Sequence, residues 1–473
     1  MGARITFYGG AGTVTGANFL LDTGPKPSAR GADGSADHSS ETNDLGKKIL
    51  IDCGILQREK VCDAANSASF SYDVKTIDAL IVTHAHADHI GRIPRLVRDG
   101  FKGPIYSTVA TKDLATLMFE DAISIMRGES IYHGCSLLYE KEDADQALSL
   151  WQGHEYHEPF KIGDVSIEFR DAGHILGSAM VKCSRGGKVL LFTGDLGNSP
   201  EPLLNDTESP AGTNYLVVES VYGDRVHENR EGRQEMLRNA VLDARNRNAT
   251  LLIPSFSLER TQILLFELNS MVERGKLDPI HVYLDAPLAI EITKIYRKYQ
   301  KLLNPAVREH FAHGDDPFIF KNLKLTPHIK ESDAIHDAPN PKIIIAGAGM
   351  AAGGRIRSHL KRYAPDPHTV ILFVGYQAPG SLGRRIMDGE KRVEIDGEYV
   401  KVRAGIASIT GYSGHKDRDA LLEFVEQAGE SLEKVFVTMG EPHSSLFLAQ
   451  RIRDFLGVDA VVPQSGESFD IPW

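Results

Sequence analysis

The stretch Thr83-His84-Ala85-His86-Ala87-Asp88-His89 constrains this chain more than any other. Three imidazoles and a carboxylate fall within six positions, after the apolar run 79–82 and before a helix-like segment opening at Ile90-Gly91-Arg92. Side chains of that polarity at the mouth of a buried strand are costly unless something pairs them. Neutral imidazole and carboxylate are the donors that borderline ions such as zinc take. The alternating spacing splays them to two sides, so two ions are expected. Two later segments offer more donors. His174 sits in a Gly-flanked turn after a strand at 165–169, and Asp195 ends the apolar strand 189–193 just beyond Gly194. Alone, each of these is an ordinary turn residue.

Composition agrees with a globular enzyme: 473 residues suffice for two or three domains, with ordinary charged and apolar fractions. No apolar run approaches the ~20 residues of a membrane span, so no membrane partner is expected. Met1 to Tyr8 reads as an edge strand rather than a secretory signal. Cys53, Cys62, Cys135 and Cys183 lack Cys-x-x-Cys spacing and suit a reducing cytoplasm better than a disulfide frame. A net charge of −11 excludes a basic coat but permits a local basic channel. Such a channel is expected at Arg355, Arg357, Lys361 and Arg362, then Arg384, Arg385, Lys391 and Arg392; solvated helix faces are the equal alternative.

Up to Asp195 the chain reads as short strands with helices between some of them, notably at 110–126, and with the donor residues on connecting loops. That pattern predicts an α/β fold, an αββα sandwich. Residues 23–46, rich in Gly, Ser, Asp and Pro, read as a flexible extension of a hairpin. After a Pro- and Asn-rich linker, strands and helices alternate from 215 to 374, the mark of a second domain on a parallel sheet. From about Val393 short strands return, and the tail reads as the missing edge of the first sandwich. The expected division is residues 1–207 and 394–473 as one domain, with 208–393 inserted in it.

Together and in this order, the donor segments resemble the metallo-β-lactamase fold. The resemblance implies His84, His86 and His174 on one ion, Asp88 and His89 on the other, and Asp195 bridging both. Val218-Glu219-Ser220-Val221-Tyr222-Gly223-Asp224-Arg225 resembles the acidic motif of the β-CASP nucleases, which process RNA and DNA on that fold. Gly411-Tyr412-Ser413-Gly414-His415-Lys416-Asp417 resembles their histidine motif. The likeness covers nearly the whole chain outside 23–46, and small-molecule hydrolases of the fold lack such an inserted β-CASP domain. It implies a zinc-dependent ribonuclease of the cytoplasm, endonucleolytic with a 5′ exonuclease mode open, that hydrolyses RNA with a zinc-bound hydroxide. Asp88 would orient that hydroxide, and His415, fixed by Glu219, would give a proton to the leaving 3′ oxygen. A homodimer is left open. A DNA-processing nuclease, a small-molecule hydrolase and a catalytically silent RNA-binding scaffold are the rival readings.

Two segments depart from a simple match. Residues 343–355 form a strand, a Gly-rich turn and a helix start that nearly fit a dinucleotide fingerprint, with the third glycine one place late. Amides at a helix start bind phosphate of any kind. RNA backbone is therefore expected at Gly349 and Gly353, with Arg355, Arg384 and Ser413 beside it. The family also carries a metal-binding histidine after a late strand, where this chain has Met439-Gly440-Glu441-Pro442-His443. A thioether is a poor zinc ligand. Either His443 substitutes for the missing donor or the second Zn2+ is held more loosely, and the looser ion is the expectation.

Overall fold

The computed structural model describes residues 2–24, 46–57, 61, 63–227, 232–351, 353–375, 377 and 380–473. The chain divides into two compact units: residues 1–199, 206–226 and 415–473 form the first, and 200–205 with 227–414 form the second.

The first unit is built on two seven-stranded sheets. One runs, in spatial order, Glu467–Ile471, Ala3–Gly9, Asn18–Asp22, Lys48–Ile51, Ala79–Ile81, Ile105–Thr108 and Trp151–His154. The other runs Asp459–Val461, Lys434–Thr438, Tyr215–Glu219, Lys188–Phe192, Ala179–Arg185, Val165–Asp171 and Phe160–Ile162. Alternate side chains of a strand point to one face, and here those faces supply one shared apolar core. Phe7, Phe19, Phe169, Phe192 and Phe436 interdigitate in it, with Phe7 5.6 Å from Phe19 and 5.4 Å from Phe436. The outer face of the second sheet buries Leu216, Val218, Val435 and Val437 against the helices Arg418–Glu426 and Pro442–Arg451. The expected αββα sandwich is therefore present.

The second unit carries a six-stranded sheet in the order Leu323–Leu325, His281–Asp285, Lys342–Ala346, Thr250–Pro254, Val370–Phe373 and Gly405–Ser408, every pair parallel. Its central strands are buried along their length, as both-faced coverage by crossover helices demands.

Several expectations need correction. The strand Tyr215–Glu219, assigned to the insert, pairs in parallel with Lys188–Phe192 and Lys434–Thr438 and belongs to the first unit. Conversely, the hairpin Arg392–Ile395/Glu398–Lys401 and the strand Gly405–Ser408 lie in the second unit rather than completing the first. The N-terminal strand is not an edge, because Glu467–Ile471 pairs along it. Cys53 and Cys183 are free and buried, but Cys135 is disulfide-bonded, against the expectation of four reduced thiols. The hairpin extension falls mostly on residues 25–45, outside the described residues. Among the described residues, no helix is long and apolar enough to cross a membrane.

Candidate active site

Every predicted ligand lies in the first unit, on loops that leave the two sheets. His84 and His86 follow the strand Ala79–Ile81, and Asp88 and His89 sit on the single helical turn Ala87–Ile90. This turn packs so closely against the next loop that a side chain at Gly54 would meet the Asp88 carbonyl oxygen at 1.5 Å. The turn carrying His174 is held by Ser178, whose hydroxyl accepts from the amides of His174 and Ile175. Asp195 follows Gly194, whose φ of +55° leaves its missing side chain facing Thr83 at 2.7 Å. Only glycine fits that turn.

The donor atoms converge. His84 Nε2 lies 3.1 Å from His86 Nδ1 and 3.4 Å from Asp195 Oδ2; His174 Nε2 lies 3.3 Å from His86 Nδ1 and 3.6 Å from Asp195 Oδ2. These four residues each present a donor atom within 4.8 Å of the others. Four ligands around a tetrahedral ion at zinc–nitrogen distances would stand ~3.3 Å apart, so the separations fit one ion. Protonation fits as well. Burial pushes the imidazole pKa values of His86 and His174 well below the usual range, and that of His84 down. Burial opposes ionisation of Asp195, yet His89 and His84 hold its carboxyl pKa well below the usual range. Three neutral imidazoles and one carboxylate are a divalent-ion donor set.

On the other side, His89 Nε2 faces the second oxygen of Asp195, Oδ1, at 3.3 Å, and both atoms are buried without a hydrogen bond. Burial lowers the His89 pKa, but Asp195 and Asp52 together raise it well above the usual range. This buried pocket therefore favours positive charge at His89. Asp88 does not join the four-donor group; its Oδ1 accepts from Gln57 Nε2 at 3.3 Å, and burial pushes its pKa up to about 6.

Asp52 was missed by sequence reasoning. Its Oδ2 accepts from Thr83 Oγ1 and from His89 Nδ1, each at 2.8 Å, and its Oδ1 accepts from the Thr83 amide. A carboxylate on Nδ1 fixes the tautomer that leaves Nε2 free to bind an ion. As a single acid at a strand end it carried no motif in the sequence. Replacing Asp52 by asparagine is expected to weaken metal retention at the His89 side by about 10–100-fold, measured by metal content after graded chelation.

A second group comprises Asp195, Glu219 and His415, again within 4.8 Å. Glu219 ends the strand Tyr215–Glu219, is 1% exposed, and accepts from the Leu196 amide at 2.6 Å and from His415 Nδ1 at 3.2 Å. Burial lowers the His415 pKa, but the Glu219 carboxylate outweighs it and lifts the imidazole to about 9. Burial also raises Glu219. The pair thus keeps at least one proton at neutral pH. The His415 ring lies 4.7 Å from that of His174 and tilted 43° to it, beside the four-donor group.

Comparison with known proteins decides the family. Residues 42–255 match the Metallo-beta-lactamase superfamily, 261–386 the Beta-Casp domain, and 399–463 the Zn-dependent metallo-hydrolase RNA specificity domain. Ribonuclease TTHA0252 of Thermus thermophilus is 36% identical over 448 residues, covering 94% of this chain and 95% of that protein. The chain belongs to the β-CASP family of the metallo-β-lactamase superfamily. Transcription termination factor FttA of Methanocaldococcus jannaschii is 32% identical, over 88% of this chain and 67% of that protein. A crystal structure of a protein of unknown function from Enterococcus faecalis V583 shares the fold alone, with a TM-score of 0.56 at 12% identity over the full length of both chains.

Against that β-CASP background, Met439 stands out. It is 2% exposed, has a φ of +47°, and packs in the inter-sheet core. Together with Asp52, Thr83 and His89 it lines one small cavity, and its sulfur lies against Gly10, 2.5 Å from where a side chain there would begin. His443 does not replace it. That side chain is 80% exposed and bonds Asp224 through Nδ1 at 3.2 Å. The four-residue shift puts it on the helix Pro442–Arg451, stacked with Phe447. Metal analysis is expected to show about two ions when loaded and nearer one after dialysis. Met439→His is expected to raise the retained amount, and tight retention of both ions by the unmodified chain would contradict this assignment.

The expected substrate contacts fare unevenly in the second unit. Arg355 is not free for phosphate: its guanidinium donates to Asp285 Oδ1 at 2.6 Å and to the carbonyls of Thr326 and Pro327. Asp285 is fully buried and also holds His359 and Ser332, so this arginine closes a network at a strand end. Gly349 leaves room for the Phe256 ring, 2.5 Å from where a side chain would begin, whereas Gly353 faces open space. In the Gly-rich turn the amides of Ala348, Ala351, Ile356 and Arg357 bond to carbonyls of the same turn. Arg384 is half-buried and paired with Asp388; Ser413 is buried.

Proposed function

We propose that this protein is a zinc-dependent ribonuclease that hydrolyses phosphodiester bonds of cytoplasmic RNA, endonucleolytically, at the His84–His86–His174–Asp195 centre. The observation that carries the reading is Asp195 itself. One of its oxygens faces His84 and His174, the other faces His89, and the residue also borders the Glu219–His415 pair. Such sharing suits a two-ion site flanked by a proton donor. The ions, when bound, supply Lewis acidity and bring water's pKa near neutrality. The chain's own residues do the rest. His84, His86 and His174 would hold one ion, Asp88 and His89 the second, and Asp195 both. Asp88, buried and bonded by Gln57, would orient the attacking water. His415 would protonate the leaving 3′ oxygen, with Glu219 fixing its ring.

The relatives support RNA as substrate, because one is named a ribonuclease and a matched segment is described as an RNA specificity domain. Matched single-stranded RNA and DNA, with nitrocefin as a small-molecule control, test the reading on one zinc-loaded sample. Cleavage of RNA well above DNA and nitrocefin is expected. Preference for DNA, turnover of nitrocefin alone, or RNA binding without cleavage would each overturn it.

A further inference from the structure

Many basic residues that the sequence offered for RNA are already neutralised. Asp285 pairs with Arg355, Asp396 with Arg357 and Lys361, Asp388 with Arg384, and Glu390 with Arg385. Arg92 is different. It lies three residues beyond His89, and its amide donates to the Cys53 carbonyl, while the Cys53 amide donates to the His89 carbonyl. Among the described residues it forms no ion pair: Nη2 donates to the Ala68 carbonyl at 2.5 Å, and Nε has no hydrogen-bond partner.

The Arg92 guanidinium lies 4.1 Å over the Phe70 ring. Phe70 stands 5.4 Å from Tyr72, and Tyr72 stands 4.8 Å from Tyr8. Asn18 fixes the middle ring by donating to the Tyr72 hydroxyl at 3.1 Å. Its neighbour Ala17 donates its amide to the Asp88 carbonyl at 2.9 Å, so the aromatic row is tied to the ligand turn. All four side chains are half-buried, at the surface of the unit rather than in its core. Single-stranded nucleic acid is held by this combination: ring faces take bases of any sequence, and arginine adds charge and stacking. In a chain of net charge −11, an arginine without an acid partner beside a ligand turn is charge left for a polyanion.

We propose that Arg92, Phe70, Tyr72 and Tyr8 form a subsite for one nucleobase and its phosphate in the RNA strand presented to the metal centre; this rests on the ribonuclease reading above. The test is steady-state cleavage by the zinc-loaded full chain of an RNA oligonucleotide and of a same-length strand carrying abasic residues. The unmodified chain is expected to cleave both, with the lower KM on the base-bearing strand. Phe70→Leu, which keeps apolar volume but removes the ring face, is expected to raise that KM by about tenfold. It should leave KM on the abasic strand, kcat and zinc content unchanged. Arg92→Gln is expected to raise KM on both strands and flatten its salt dependence, because a phosphate contact is lost. Equal KM on the two strands with the unmodified chain, or a Phe70→Leu effect equal on both or carried by zinc loss, overturns the subsite alone. Cleavage of neither strand overturns the ribonuclease reading and the subsite with it.

Discussion

Replacing His84 by alanine is expected to drop RNA cleavage by ~10³-fold or more and to lower metal content, with little change in thermal unfolding. The size follows from what is removed. His84 is one of four converging donors, and an ion's charge stabilisation in the transition state is worth several kcal/mol, each ~1.4 kcal/mol being tenfold in rate. The fold should survive, because the loop bearing His84 is also held by Thr83 bonded to Asp52 and by the packing of Ala85. Asp195→Ala should be at least as severe, since it strips a donor from both sides at once. A His84→Ala protein that keeps its full metal content and its rate would remove the centre from its assigned place.

His415→Ala is expected to slow cleavage by ~10²–10⁴-fold, the usual contribution of a general acid, while metal content stays unchanged. The acid works only when protonated, so activity that depends on it is lost as pH rises through its pKa. With the ring lifted to about 9 beside Glu219, the alkaline limb should fall no higher than that, and bound cations would bring it lower. Glu219→Gln removes the charge that lifts the ring, so the limb should move to lower pH. A pH–rate profile of the three proteins reads this out. An unmoved limb in Glu219→Gln would separate the carboxylate from proton transfer.

The legible and the hidden parts of this site differ in one respect, the sequence distance over which a residue finds its partner. His84, His86, Asp88 and His89 announce themselves because their chemistry is packed into six positions at a strand mouth, where so many polar side chains are costly to bury without an ion to share. His174, Asp195, Glu219 and His415 are single residues at strand ends and turns, and they became readable only through the order of motifs. Asp52 had no such frame: its partners Thr83 and His89 lie 31 and 37 residues away. Arg355 misled for the same reason, since Asp285, which occupies it, is 70 residues upstream. Net charge and helical spacing show where cations are, but not which are already paired. The unit boundaries slipped at Tyr215–Glu219 and Gly405–Ser408 because a parallel strand looks alike in either sheet, and only its pairing partners tell them apart.

The split of the first unit around residues 227–414 sets a schedule for synthesis. A ribosome delivers His84 through Glu219 early, then the whole second unit, and only afterwards His415 and the strand Lys434–Thr438 that lies beside Glu219. The last strand, Glu467–Ile471, must return to pair with Ala3–Gly9, made more than four hundred residues before. Contacts of such long range close late in folding. Until then a nascent chain holds the four converging donors His84, His86, His174 and Asp195, but neither His415 nor the sheet neighbour of the strand that ends at Glu219.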